Sequence, residues 1–133
     1  MKNRQKYYNP NPRKKEAGDC VVRALCKATD KDWNEVYKRL CEIGLEEKAM
    51  PNEQVCYERF LQENGFVKIK IGIEKGSRRP TVNDMAIMSE NGRSYVCRVA
   101  SHIVTAKDGF YWDTWESGDK CLYSYFTKYN SLK

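Results

Sequence analysis

The chain predicts an α+β domain, with helices first and antiparallel strands second. Apolar residues recur at helical spacing between Cys20 and Leu61, the pattern changes to alternation after Phe66, and the last roughly forty residues break into short strand-like runs. At 133 residues, one domain spanning 1–133 is expected, with a core large enough to stand without staples.

Residues 1–15 read as a basic arm. Lys2, Arg4, Lys6, Arg13, Lys14 and Lys15 account for the whole formal net charge of +6, because the other 18 basic residues are matched by 18 acidic ones. Such an arm reads first as a solubilising, partly disordered tail and second as a binder of phosphate backbones or an acidic protein surface. No nucleic-acid motif follows it, so a nucleic-acid partner is not favoured. Tyr7 and Tyr8 beside Asn9-Pro10-Asn11-Pro12 predict that the later half of the arm packs onto the body.

Behind Gly18, Val21, Val22, Ala24, Leu25 and Ala28 form an apolar stripe, with Arg23 and Lys27 on the opposite side, predicting a largely buried helix over 20–28. Asp32 then caps a second helix carrying Trp33, Val36, Tyr37, Leu40 and Cys41, with Gly44 as its stop. Pro51-Asn52 opens a third helix through Val55, Tyr57, Phe60 and Leu61, and Asn64-Gly65 closes it. Val67, Ile69, Ile71 and Ile73 alternate with Lys68, Lys70 and Gly72, predicting a strand with one buried face. Thr81 to Asp84 opens a short helix through Met88 with a box-like cap. Strands are expected over 94–100, 102–106, 110–115 and 122–126, with Asp108-Gly109 as a hairpin turn.

No apolar run reaches the length of a membrane span and no secretory signal is visible, so no membrane association and a cytoplasmic location are expected. There the six cysteines would be reduced. With no Cys-x-x-Cys and a single histidine, no metal and no cofactor are expected. Cys26, Cys41, Cys56, Cys97 and Cys121 read as small interior hydrophobes. Cys20 differs, because a helix start lowers a thiol pKa and the thiolate is the reactive form.

An imidazole that activates Cys20 must be His102, the only histidine. A two-residue Asp108-Gly109 turn pairs Lys107 with Phe110 and His102 with Trp115, which puts Asp113 on the same sheet face one diagonal step from His102. A three-residue loop would turn Asp113 away; the Asp-Gly pair favours the shorter turn. Asp113 would then orient the imidazole, and His102 would protonate a leaving group. Asp19 opposes thiolate formation unless engaged as a helix cap.

A cysteine opening a buried helix, a histidine opening a strand, and Asp113-Thr114-Trp115 together resemble the papain-like cysteine hydrolases. The likeness is closer to small bacterial and phage-type papain-like proteins with Asn-Pro-Asn-Pro (Asn9-Pro10-Asn11-Pro12), Gly-Asp-Cys-Val-Val-Arg-Ala-Leu (from Gly18 to Leu25), His-x-Val (His102, Val104) and Tyr-x-Asp-x-Trp (Tyr111, Asp113, Trp115). The resemblance implies a papain-like fold, its nucleophile helix packed on a C-terminal antiparallel sheet. It also implies a Cys20-His102-Asp113 triad acting on a peptide or protein substrate as a peptidase, isopeptidase or amidase, through a thioester, with Trp115 shielding the His102–Asp113 bond. The family's oxyanion-hole glutamine upstream of the cysteine has no counterpart; Asn11 is the substitute, with the Cys20 N–H as second donor. The local Cys-Gly-Ser-Cys-Trp signature is also absent. The alternative is a non-catalytic binding or inhibitory protein on the same scaffold, acting through the basic arm and an aromatic cleft.

Overall fold

A computed structural model describes residues 3–15, 18–72 and 76–129. Lys2, Glu16, Ala17 and Ile73 lie outside the described residues. The elements are β1 (Gln5–Tyr7), α1 (Cys20–Thr29), α2 (Trp33–Glu47), α3 (Gln54–Glu63), β2 (Val67–Lys70), α4 (Val82–Met88), β3 (Tyr95–Val99), β4 (His102–Lys107), β5 (Phe110–Asp113) and β6 (Ser124–Thr127). The architecture is α+β, built on a six-stranded sheet in the order β1-β5-β4-β3-β6-β2.

The sheet is mixed, which corrects the expectation of a purely antiparallel one. The β4–β5 hairpin leaves the outer edge of β5 unpaired, and the arm fills it, with β1 running parallel to β5 from Gln5 opposite Tyr111 to Tyr7 opposite Asp113. The arm therefore contributes a strand over Gln5–Tyr7 and is not a tail there. Two of its charges are used locally: Arg4 bonds Glu90 at 2.6 Å and the Gly109 carbonyl at 3.2 Å, and Lys6 sits 4.5 Å from the Phe110 ring centre.

Alternation along the strands divides the apolar residues between two layers. Val96, Ile103 and Phe126 join the side chains of α1, α2 and α3 in one core; Tyr95, Cys97, Val99, Val104, Ala106 and Tyr111 join Val82, Met85 and Ala86 of α4 in the other. β2 is an edge strand paired only with β6, so Val67 stays 46 % exposed where a buried face was expected.

Local chemistry sets most boundaries. Asp32 accepts from the Glu35 N–H at 2.8 Å, and Thr81 and Asp84 form a reciprocal capping box. Gly44 does not stop α2. An added Cβ there would lie 2.6 Å from the Ala49 carbonyl oxygen, so its glycine serves a close backbone crossing, and the helix runs three residues further to Glu47 before Lys48 turns left-handed. The third helix begins at Gln54, after a turn at Pro51-Asn52. Asp108 and Gly109 both have positive φ (57° and 88°), the conformation of a two-residue type I′ hairpin turn, and Lys107 pairs with Phe110. Cys26, Cys56 and Cys97 are buried as expected, whereas Cys41 is half-buried and Cys121 exposed, because the neighbouring segments leave them at the surface.

One pairing positions the site. α1 and β4 run side by side in the same direction: Cys20 shares a cleft wall with His102 and Ile103, the Thr105 hydroxyl donates to the Ala24 carbonyl at 2.7 Å, and Lys107 reaches the Lys27 carbonyl and Asp30. Ten helical residues at about 1.5 Å each and six strand residues at about 3.3 Å each cover similar lengths, so contacts hold in step from end to end.

Candidate active site

Cys20 is the first residue of α1 and half-buried, so its thiol sits in the turn whose N–H groups have no intrahelical acceptor. The α1–β4 alignment sets it against His102, the first residue of β4. Continuing the hairpin register from Lys107–Phe110 places His102 opposite Trp115 and Asp113 one step diagonal. His102 Nε2 meets Asp113 Oδ2 at 2.7 Å, which leaves Nδ1 for the thiol. The Trp115 ring stands 4.7 Å from the imidazole, centre to centre, and is 41 % exposed.

Asp113 is fully buried, and all of its bonds come from donors. Oδ1 accepts from Arg23 at 3.1 Å and from the Thr114 N–H at 2.8 Å; Oδ2 accepts from the Ser117 hydroxyl at 2.6 Å in addition to His102. Such a carboxylate stays ionised inside the protein, and its pKa lies below the usual range: burial pushes it up, but the bonds from His102 and Ser117 outweigh that.

The thiol and the imidazole shift in complementary directions. Burial pushes the Cys20 pKa up, but hydrogen bonding and charge interaction with His102, the Ile103 N–H and Arg23 carry it below the ordinary thiol value. Burial pushes His102 down, and its bonds to Asp113 and Cys20 raise it to about 9. Both shifts favour thiolate and imidazolium over the neutral pair near neutral pH. Moving the proton from sulfur to nitrogen leaves the net charge of the cluster unchanged, so the low-dielectric surroundings do not oppose it as they would an isolated thiolate.

Arg23 is not on the outer face of α1. It is 5 % exposed and bridges Asp19 at 3.2 Å to Asp113 at 3.1 Å. Asp19 occupies the N-cap position without a side-chain cap bond; its carboxylate is held by Arg23 and by the Trp33 indole N–H at 2.9 Å. The charge of Asp19 is thus directed at Arg23 inside a buried chain of bonds that runs from Trp33 to His102. Sequence reasoning misplaced Arg23 by following the apolar stripe alone. Its spacing from Asp19 (i,i+4) and Cys20 (i,i+3) puts it on the Cys20 side of the helix and was a legible signal. Ser117, in the irregular segment after β5, carried none.

A cleft of about 260 Å³ opens beside Cys20 and His102, bordered by Asn52, Gln54, Tyr57 and Arg98. Asn11 does not line it. The Asn-Pro-Asn-Pro segment folds on itself, with Asn9 Oδ1 accepting from the Asn11 N–H at 3.2 Å and Asn11 Oδ1 from the Arg13 N–H at 2.8 Å, and Asn11 lines a separate hollow with Pro12 and Trp33. Of the residues singled out from sequence, the structure therefore brings together Cys20, His102, Asp113 and Trp115, and leaves Asn11 aside.

The chain matches no family model, no curated protein and no solved structure.

Proposed function

We propose that the protein is a cysteine hydrolase of papain-like type, acting on an amide carbonyl of a peptide or protein. The observation that carries this reading is the meeting of Cys20 and His102 at the edge of one cleft, with His102 bonded to a saturated, buried Asp113. The order of the three residues and the Trp115 ring against His102 support the papain-like assignment.

In this reading the Cys20 thiolate attacks the carbonyl carbon, forming a C–S bond and a tetrahedral oxyanion. The Cys20 N–H, a first-turn donor, faces the developing charge, and the cleft supplies two side-chain amides. Gln54 Nε2 is committed to Glu58 at 2.7 Å, which leaves Asn52 to take the part first given to Asn11. The C–N bond breaks as protonated His102 delivers its proton to the leaving amine. The resulting thioester is opened by water, whose proton His102 accepts, and thiolate and imidazolium are restored. Asp113 stays ionised throughout and orients the ring. Six unpaired cysteines suit a reducing compartment, so the reading includes a cytoplasmic location. Among the described residues no helix is long and apolar enough to cross a membrane.

Iodoacetamide labelling across a pH series, with adducts mapped by mass spectrometry, tests the proposal. Cys20 is expected to react selectively at pH about 6, where an ordinary thiol is almost wholly protonated. Labelling of Cys20 no faster than glutathione at that pH would sink the reading.

A further inference from the structure

The cleft beside Cys20 carries an unusual charge balance. None of its ten lining residues is acidic, and apart from the site histidine its one charged side chain is Arg98, near the end of β3. Among the described residues no carboxylate forms an ion pair with Arg98. Glu58, whose carboxylate feels the charge of Arg98, is occupied by Lys68 at 2.8 Å and by Gln54 at 2.7 Å. Arg98 is nonetheless held in place: its guanidinium lies 5.5 Å from the centre of the Tyr123 ring, and its charge bears on the Tyr57 hydroxyl beside it in the cleft wall. Arg79 lies 5.6 Å from the same ring and also lacks a carboxylate among the described residues. A half-buried, pre-oriented guanidinium with unused donors at the rim of a catalytic cleft suits the forked geometry of a carboxylate.

We infer that Arg98 makes the cleft selective for substrates bearing a carboxylate close to the scissile carbonyl, such as an Asp or Glu side chain. The inference rests on the hydrolase reading of Cys20 and names the substrate class of that site. Tyr57 and Tyr123 fix the guanidinium so that little side-chain freedom is lost on binding, and Arg79 adds to the positive potential of that end of the cleft.

The test uses two alkylating probes of equal size and different charge, N-iodoacetyl-glutamate amide and N-iodoacetyl-glutamine amide, on the full chain at low salt. The readout is the ratio of their rate constants at Cys20, normalised to the ratio for glutathione. A normalised ratio of about tenfold in favour of the glutamate probe is expected, the size of one charge-assisted hydrogen bond. Arg98→Gln should bring it close to one, and Arg98→Lys should retain part of it, with melting temperatures checking that each variant is folded. A wild-type ratio near one, or a ratio unchanged in Arg98→Gln, overturns the inference while leaving the hydrolase reading intact. An equal loss in Arg79→Gln overturns the assignment to Arg98 in favour of a diffuse field. Failure of both probes to label Cys20 faster than glutathione overturns the hydrolase reading and this inference with it.

Discussion

Helix α1 carries two cysteines with opposite fates. Cys26 is 1 % exposed, and burial, followed by the charges of Asp32, Asp19 and Glu35, pushes its thiol up to about 12. Cys20 begins the same helix and is also penalised by burial, yet its pKa falls below the ordinary value because His102, the Ile103 N–H and Arg23 face it. Desolvation has the same sign at both positions. What reverses the outcome is the identity of the neighbours, carboxylates around one sulfur and an imidazole with backbone and guanidinium donors around the other. The direction of a thiol pKa along this helix is thus set at its first residue by the strand laid alongside it.

Removing the imidazole should break this contrast most severely. In His102→Ala, Cys20 loses its main thiolate partner, and its alkylation at pH 6 is expected to fall by on the order of 10- to 100-fold, tenfold for each unit its pKa rises. Cys26 should remain unlabelled in both proteins until denaturant is added, which peptide mapping reads directly. Equal labelling of Cys20 with and without His102 would erase the distinction.

The next largest effect concerns stability. Arg23→Met leaves Asp19 and Asp113 buried without their shared cation and should lower unfolding stability by about 3–5 kcal/mol, measured by urea titration. Adding Asp19→Leu removes one stranded carboxylate and should recover part of the loss. No shift in the Arg23→Met urea midpoint would mean that the buried bridge is energetically idle.

Titration sharpens the comparison further. His102 is raised in the folded protein from 6.5 to about 9, so its protonation contributes stability that is fully present below 6.5 and lost as pH rises through 9. Cys20 has the opposite sign: its lowered pKa contributes stability above the unfolded value of 9.0 that is lost as pH falls through the folded value. Cys20→Ser removes the second contribution. NMR titration of this variant should show a His102 pKa below about 9 but still above 6.5, held up by Asp113. Its unfolding free energy should decline from pH 6.5 upward; a His102 pKa unmoved by loss of the thiol would mean that the two groups are not coupled.

The smallest effect is expected at Trp115. With its ring 41 % exposed, Trp115→Ala should lower Cys20 alkylation only a few-fold, in line with about 1 kcal/mol for an aromatic contact. A loss as large as that of His102→Ala would assign Trp115 a greater part than shielding the ring.

Much of this was open to reading because it depends on local rules. The helical stripe after Gly18, the Thr81–Asp84 box and the Asp108-Gly109 turn each act through residues a few positions apart, and each appears where its pattern placed it. The His102–Asp113 contact is local in the same sense, since a two-residue turn and the two-residue period of a strand determine which side chains meet. Where a local rule had two meanings, it misled: Gly44 marks a backbone crossing as readily as a helix end, and Arg23 among apolar neighbours reads as an outer-face residue.

The sequence by itself determined a cysteine on a helix start, a lone imidazole and the turn that aligns Asp113 with it. Tertiary structure alone decided that β1 closes the outer edge of β5, that Arg23 turns inward to join Asp19 with Asp113, and that Asn52 and Arg98, not Asn11, border the cleft. Apart from the Asp19–Arg23 pair, four positions apart, these are contacts between residues tens of positions apart. Their partners are chosen by burial and charge balance when the layers assemble, and no pattern within a few residues encodes that choice.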